Sequence, residues 1–107
     1  MRCVCRMLVL YKEPLDKEHF ERHYRAVHIP LVRAMPGLKA FDVSYGGVDV
    51  SFPDLQPYLV ALLDWETKEA MASSLSSDLG QRVIDDLKIF AKSGFLTLAY
   101  MTEDMRV

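Results

Sequence analysis

The strand-length segments of this chain are apolar on both of the faces that a strand presents. Successive side chains of a strand point to opposite sides. Over residues 2–11, Cys3, Cys5, Met7, Val9 and Tyr11 share one face, while Val4, Leu8 and Leu10 share the other. The segment from Tyr58 to Trp65 sets Tyr58, Val60 and Leu62 against Leu59, Ala61, Leu63 and Trp65. The segment from Phe95 to Met101 sets Phe95, Ala99 and Met101 against Leu96, Leu98 and Tyr100. A sheet built from these strands needs cover on both sides.

The segments between them supply cover for one side. Asp16 offers an N-cap before Lys17, Glu18 and His19, and a helix is expected through Phe20, Tyr24 and Val27 toward Ala34. Pro36-Gly37 stops it, and Leu38 to Tyr45 reads as a second strand closed by Gly46-Gly47. Val48 to Gln56, with Pro53 and Asp54, reads as a loop. Thr67 opens a short helix, and Ser76 or Ser77 caps a longer one with Leu79, Val83, Leu87 and Phe90 as its apolar stripe. Gly94 leads into the last strand. The order βαββαβ is the ferredoxin-like α+β arrangement, an antiparallel sheet with helices on one face, and it takes the whole of residues 1–107 as one domain. The uncovered face is too apolar for a monomer. Its economical cover is the same face of a second copy about a two-fold axis. The pattern therefore predicts a homodimer through sheet faces, a dimeric α/β barrel.

Composition narrows the partners. The net charge is −2 with acids and bases interspersed, so no basic stripe for nucleic acid is present. No apolar run approaches the roughly 20 residues that span a bilayer, and Met7 to Tyr11 is too short for a signal peptide. Neither a nucleic-acid nor a membrane partner is expected, and the expected location is the cytoplasm. Cys3 and Cys5, two apart in a strand, point the same way and are poorly placed to bridge, so they read as structural thiols. No Gly-rich phosphate cradle follows a strand, which leaves a nucleotide or flavin site unsupported, and no cofactor is expected.

The first helix carries the candidate chemistry. Phe20, Tyr24, Val27 and Leu31 fall on one stripe, with His28 on one flank, His23 on the other and His19 further round. Pro30 leaves the carbonyl of Ala26 without its helical partner. A break just after His28 would open a cavity between helix and sheet. A histidine at its edge, with an ordinary pKa near 6.5, suits general acid–base work. His28 is the candidate proton carrier; His23 or a tyrosine would steady a developing oxyanion. Either histidine is equally accounted for as a core-edge residue bonded to the backbone. His19 and His23 have zinc-ligand spacing but lack a third ligand nearby, so no metal is expected. Tyr24, Tyr45, Tyr58 and Trp65 have polar tips able to orient a ligand, although packing explains them too. No Ser-His-Asp or Cys-His constellation is readable.

The segment Phe20-x-x-His23-Tyr24-x-x-x-His28-x-Pro30-Leu31, followed by Met35-Pro36-Gly37-Leu38, resembles the signature of the EthD family of dimeric α/β-barrel proteins. Leu79-Gly80 through Leu87, Phe90 and the closing strand is similar too. The resemblance implies a homodimer with a pocket between sheet and helices in each subunit. Members are associated with ether-degradation gene clusters, fungal anthraquinone-type oxidation and methylmuconolactone methyl-isomerisation. Haem-degrading relatives place an axial histidine in the second helical region, and Thr67 to Lys92 contains none. The expected function is cofactor-independent proton transfer, isomerisation or oxygenation of a small hydrophobic aromatic-derived compound. The alternatives are a non-catalytic ligand-binding or accessory dimer, and a dimer whose histidines are only structural. The loop from Gly46 to Pro57 is expected to act as a mobile lid.

Overall fold

The structure, a computed structural model, describes residues 3–106. Strand β1 (Cys5–Tyr11) leads into helix α1 (Lys17–His23), a π-helical turn (Tyr24–His28) and helix α2 (Ile29–Arg33). Strands β2 (Ala40–Val43) and β3 (Leu59–Trp65) follow, then helices α3 (Lys68–Ser76) and α4 (Asp78–Phe90) and strand β4 (Phe95–Met101). The strands form one antiparallel sheet in the order β2-β3-β1-β4. This is the ferredoxin-like fold.

Local chemistry fixes the helix starts. The Asp16 carboxylate accepts from the His19 backbone N–H at 3.0 Å, Thr67 Oγ1 from Ala70 at 3.0 Å, and Ser77 Oγ from Gly80 at 3.1 Å. Each cap satisfies a donor that the first turn would leave bare. Gly80 has a second job: a Cβ there would run into the carbonyl oxygens of Ser74 and Leu75. Only glycine lets α4 start so close to the end of α3.

Register sets the two faces. Cys5, Met7, Val9 and Tyr11 stand beside Leu59, Ala61, Leu63 and Trp65 under the helices, and most of them are buried. On the outer face Leu8, Leu10, Val60 and Leu62 are only half-buried, and Leu96, Leu98 and Tyr100 are exposed. No element of the chain crosses that face among the described residues. β2 is shorter than the 38–45 read from sequence, although Lys39 and Ser44 extend its pairing by donating to the Asp64 and Val60 carbonyls at 2.7 and 2.8 Å. β1 begins at Cys5; Arg2 lies outside the described residues. The cysteines differ: Cys5 is buried with Sγ 3.6 Å from Met71 Sδ, whereas Cys3 is exposed.

The first helical region departs most from expectation. Pro30 has no N–H for the Ala26 carbonyl, yet the chain stays helical to Arg33. It does so by widening one turn: the Ile29 N–H donates to the Tyr24 carbonyl, five residues back. This places Pro30 in the first turn of α2, where its missing donor costs least. The wide turn also moves the buried stripe. Phe20, Tyr24, His28 and Val32 are buried, while Val27 is exposed and Leu31 only half-buried.

Candidate functional site

Five residues along an α-helix is a rotation of about 140° from alignment. His23 and His28 would then face different ways. A π turn takes more residues per rotation than an α turn, so residues five apart come much nearer to one face. The turn at Tyr24–His28 therefore brings both imidazoles to one side of the helix, and both meet Asp86 of α4. His23 Nε2 lies 2.7 Å from Asp86 Oδ1, and His28 Nδ1 lies 2.9 Å from Oδ2. The placement on opposite flanks read from sequence is corrected by this geometry. The Phe90 ring packs against both imidazoles, with centroids 5.2 Å from His23 and 4.6 Å from His28.

His28 also lines a cavity of about 250 Å³ between the sheet and the helices. Met7, Val9, Ala61 and Leu63 form its floor, and Tyr24, Val32, Val83 and Leu87 wall it from the helices. Among the described residues its polar lining is Tyr11, Tyr24, His28 and Thr97, with no Lys, Arg, Asp or Glu. A carboxylate only accepts, so the Nδ1 proton of His28 points at Asp86 and Nε2 is left with its lone pair. Nε2 has no hydrogen-bond partner among the described residues. Burial pulls the His28 pKa below 6.5; the hydrogen bond and charge of Asp86 oppose this, and His23 adds to it. Near neutral pH the ring is thus an uncharged base with its second nitrogen already committed.

Tyr24 stands beside it. Its ring stacks at 5.4 Å from the His28 ring, and its buried hydroxyl lies near Tyr11 but makes no full hydrogen bond among the described residues. Burial pushes its pKa up to about 12, so the hydroxyl remains a donor. Tyr11, also buried in the cavity wall, is raised too, chiefly by burial.

The other residues singled out from sequence lie elsewhere. His23 is part-buried and touches Asp86 from outside the cavity. Tyr58 donates to Glu21 Oε2 at 2.9 Å and sets its edge on Phe20. Tyr58 and the fully exposed Tyr45 border a separate open cleft with Glu13, Arg25 and Gly46-Gly47. Trp65 is fully buried beside Gly37 and does not line the cavity. The loop from Gly46 to Pro57 contributes no wall to it either. Asp86 is the residue that sequence reading missed. The signal was present: Asp86 sits on the stripe of Val83, Leu87 and Phe90, where a carboxylate has no reason to be unless something buried binds it.

The profile of the EthD domain matches residues 12–93, which include the π turn, both histidines and Asp86. The chain belongs to the EthD family. An uncharacterised 11.0 kDa protein from the thcB-thcC intergenic region of Rhodococcus erythropolis is 31% identical over 100 residues, covering 92% of this chain and 94% of that protein. The crystal structure of an EthD-family protein from Bacillus halodurans matches with a TM-score of 0.76 at 28% identity, over 95% of this chain and 99% of that one. At the level of fold alone, two more distant structures align. One is a dimeric ferredoxin-like protein of unknown function from Thermobifida fusca, with TM-score 0.68, 10% identity and 94% and 92% coverage. The other is SnoaB, a cofactor-independent oxygenase from Streptomyces nogalater, with TM-score 0.62, 12% identity and 100% and 97% coverage.

Proposed function

We propose that this EthD protein is a cofactor-independent enzyme that removes a proton from a small hydrophobic, aromatic-derived compound held between sheet and helices. The observations that support the reading are those at His28: a buried ring with a lowered pKa, tied to Asp86 through Nδ1, lining an apolar cavity and with Nε2 unpartnered among the described residues. Nε2 takes the proton, and Asp86 stabilises the imidazolium that forms. The Tyr24 hydroxyl donates to the oxygen on which charge develops. His23, on the other oxygen of Asp86, fixes the carboxylate's orientation. Return of the proton to a second carbon completes an isomerisation, and reaction of the same anion with dioxygen is an oxygenation.

We also infer that the uncovered sheet face pairs with that of a second copy. The apolar side chains Leu8, Leu10, Val60, Leu62, Leu96 and Leu98 support this, as does the dimeric state of a structural neighbour. Light scattering at micromolar concentration is expected to give twice the monomer mass.

The test of the chemistry is a screen of small phenols, enolisable ketones and lactones in D2O, with replacement of carbon-bound hydrogen followed by NMR. The wild-type protein is expected to catalyse exchange in one compound class, and His28→Ala, with its fold intact by circular dichroism, to abolish it. Binding without exchange would favour a ligand-binding or accessory protein. A loss of stability in His28→Ala with no compound bound by either form would leave the histidine a structural role.

A further inference from the structure

The cavity's walls say more about its ligand than the base alone. Apart from Tyr11, Tyr24, His28 and Thr97 they are aliphatic, aromatic or methionine side chains, and no charged side chain lines the cavity among the described residues. A carboxylate, phosphate or ammonium placed there would lose its hydration with no counter-charge to replace it. Size sets a second limit. A cavity of about 150 Å³ holds benzene, so one of about 250 Å³ holds roughly ten ring atoms.

The two polar groups that matter are a matched pair. His28 Nε2 is an acceptor because Nδ1 gives its proton to Asp86. The Tyr24 hydroxyl is buried near Tyr11 without a full hydrogen bond among the described residues, a cost of the kind a protein tolerates where a ligand supplies the missing contact. The two rings are near-parallel and 5.4 Å apart, on one wide helical turn. A ligand that satisfies both carries its acceptor oxygen and its labile hydrogen on the same atom, as in a phenol, or on two atoms joined through one carbonyl carbon, as in an enolisable ketone.

We infer that the cavity selects an uncharged one- or two-ring phenol or enolisable ketone, whose oxygen is held by Tyr24 while its labile hydrogen faces His28. This rests on the reading of His28 as the base. It excludes aromatic acids, phosphate esters and fused three-ring substrates.

The test uses the wild-type protein at pH 7 with 2-naphthol, 2-tetralone, naphthalene, 2-naphthoate and anthrone. Affinity is read by titration, and occupancy by the NMR signals of the His28 and Tyr24 rings. 2-Naphthol and 2-tetralone are expected to bind and shift both rings. 2-Naphthoate, equal in rings but charged, is expected to bind at least about a hundredfold more weakly, and anthrone not to reach His28. Tyr24→Phe is expected to weaken the two oxygenated compounds about tenfold and to leave naphthalene unchanged, which also shows that the variant's cavity is intact. The inference is overturned if 2-naphthoate binds as well as 2-naphthol, if anthrone shifts His28, or if Tyr24→Phe weakens naphthalene equally. Binding with the wrong selectivity defeats this inference alone. No shift at His28 from any compound defeats the functional reading as well.

Discussion

Two carboxylates, Asp64 and Asp86, are each 6% exposed, and the sheet lies between them. Asp64 is on the outer face of β3 and is gripped by Arg6 of β1, its register partner, through two hydrogen bonds of 2.8 and 2.9 Å. A guanidinium stays charged, and its fork matches the carboxylate. The hydrogen bond and charge of Asp64 raise the Arg6 pKa further. Asp86 is on the helical side and is held by two imidazoles, rings that can be neutral or protonated where a guanidinium is always charged. The comparison separates two uses of one buried group. A permanent cation makes a fixed strut that pins strand register and can be carried whole into a sheet-to-sheet interface. In the proposed function, a pair of imidazoles makes a carboxylate that supports a proton moving on and off the His28 ring beside the cavity.

The comparison breaks most severely at Gly80. A side chain there collides with backbone at the end of α3 and drives α4, with Asp86, away from the histidines. Gly80→Ala is expected to cost about 3 kcal/mol by chemical denaturation, at the upper end for overpacking. Next in size is Arg6→Ala, which leaves the Asp64 charge nearly buried and unpaired. A loss of about 2 kcal/mol is expected, together with a weaker dimer by light scattering. That loss should be the same at pH 6 and pH 8, because Arg6, its pKa raised by Asp64, stays charged at both.

The smallest effect sharpens the contrast by its pH dependence. The folded-state pKa of His28 lies below its unfolded value near 6.5. Below that value the unfolded chain binds more protons than the folded one, so stability falls as the pH drops through 6.5. The fall levels off once the pH is below the folded pKa. Melting temperatures from pH 7.5 to 5 are expected to show this decline in the wild type and less of it in His28→Phe.

Most of the fold was legible in the sequence because its signals are local. Asp16, Thr67 and Ser77 announce their helices by capping chemistry. The alternation in residues 5–11, 59–65 and 95–101 fixes which side chains share a face, and the excess of apolar side chains on both faces points to cover on both. The candidate site was half legible. His28, His23 and Tyr24 stand out as polar or aromatic residues beside a proline on an apolar helix. Their convergence does not, because a rotation of 100° per residue holds only while every turn is an α turn, and Pro30 displaces that spacing by one residue. With the wide turn in place, Val27 leaves the core and His28 enters it. Asp86 was hidden for another reason. Its partner histidines lie 58 and 63 residues away, and no local pattern pairs them across that separation. Tyr45, Tyr58 and Trp65 show the converse: aromatic rings on strands and their ends are found where packing or exposure puts them, whether or not a cavity is near.

The pairing of His28 with Asp86 is best probed by an NMR titration of the His28 ring, in the wild type and in Asp86→Asn, with the protonated nitrogen identified in the neutral form. A wild-type midpoint below 6.5 is expected, with the proton on Nδ1 and a bare Nε2. In Asp86→Asn the midpoint is expected to fall further, because the hydrogen bond and charge that favour the protonated ring are gone. A midpoint at or above 6.5, a proton on Nε2 instead of Nδ1, or a titration indifferent to Asp86→Asn would contradict the account.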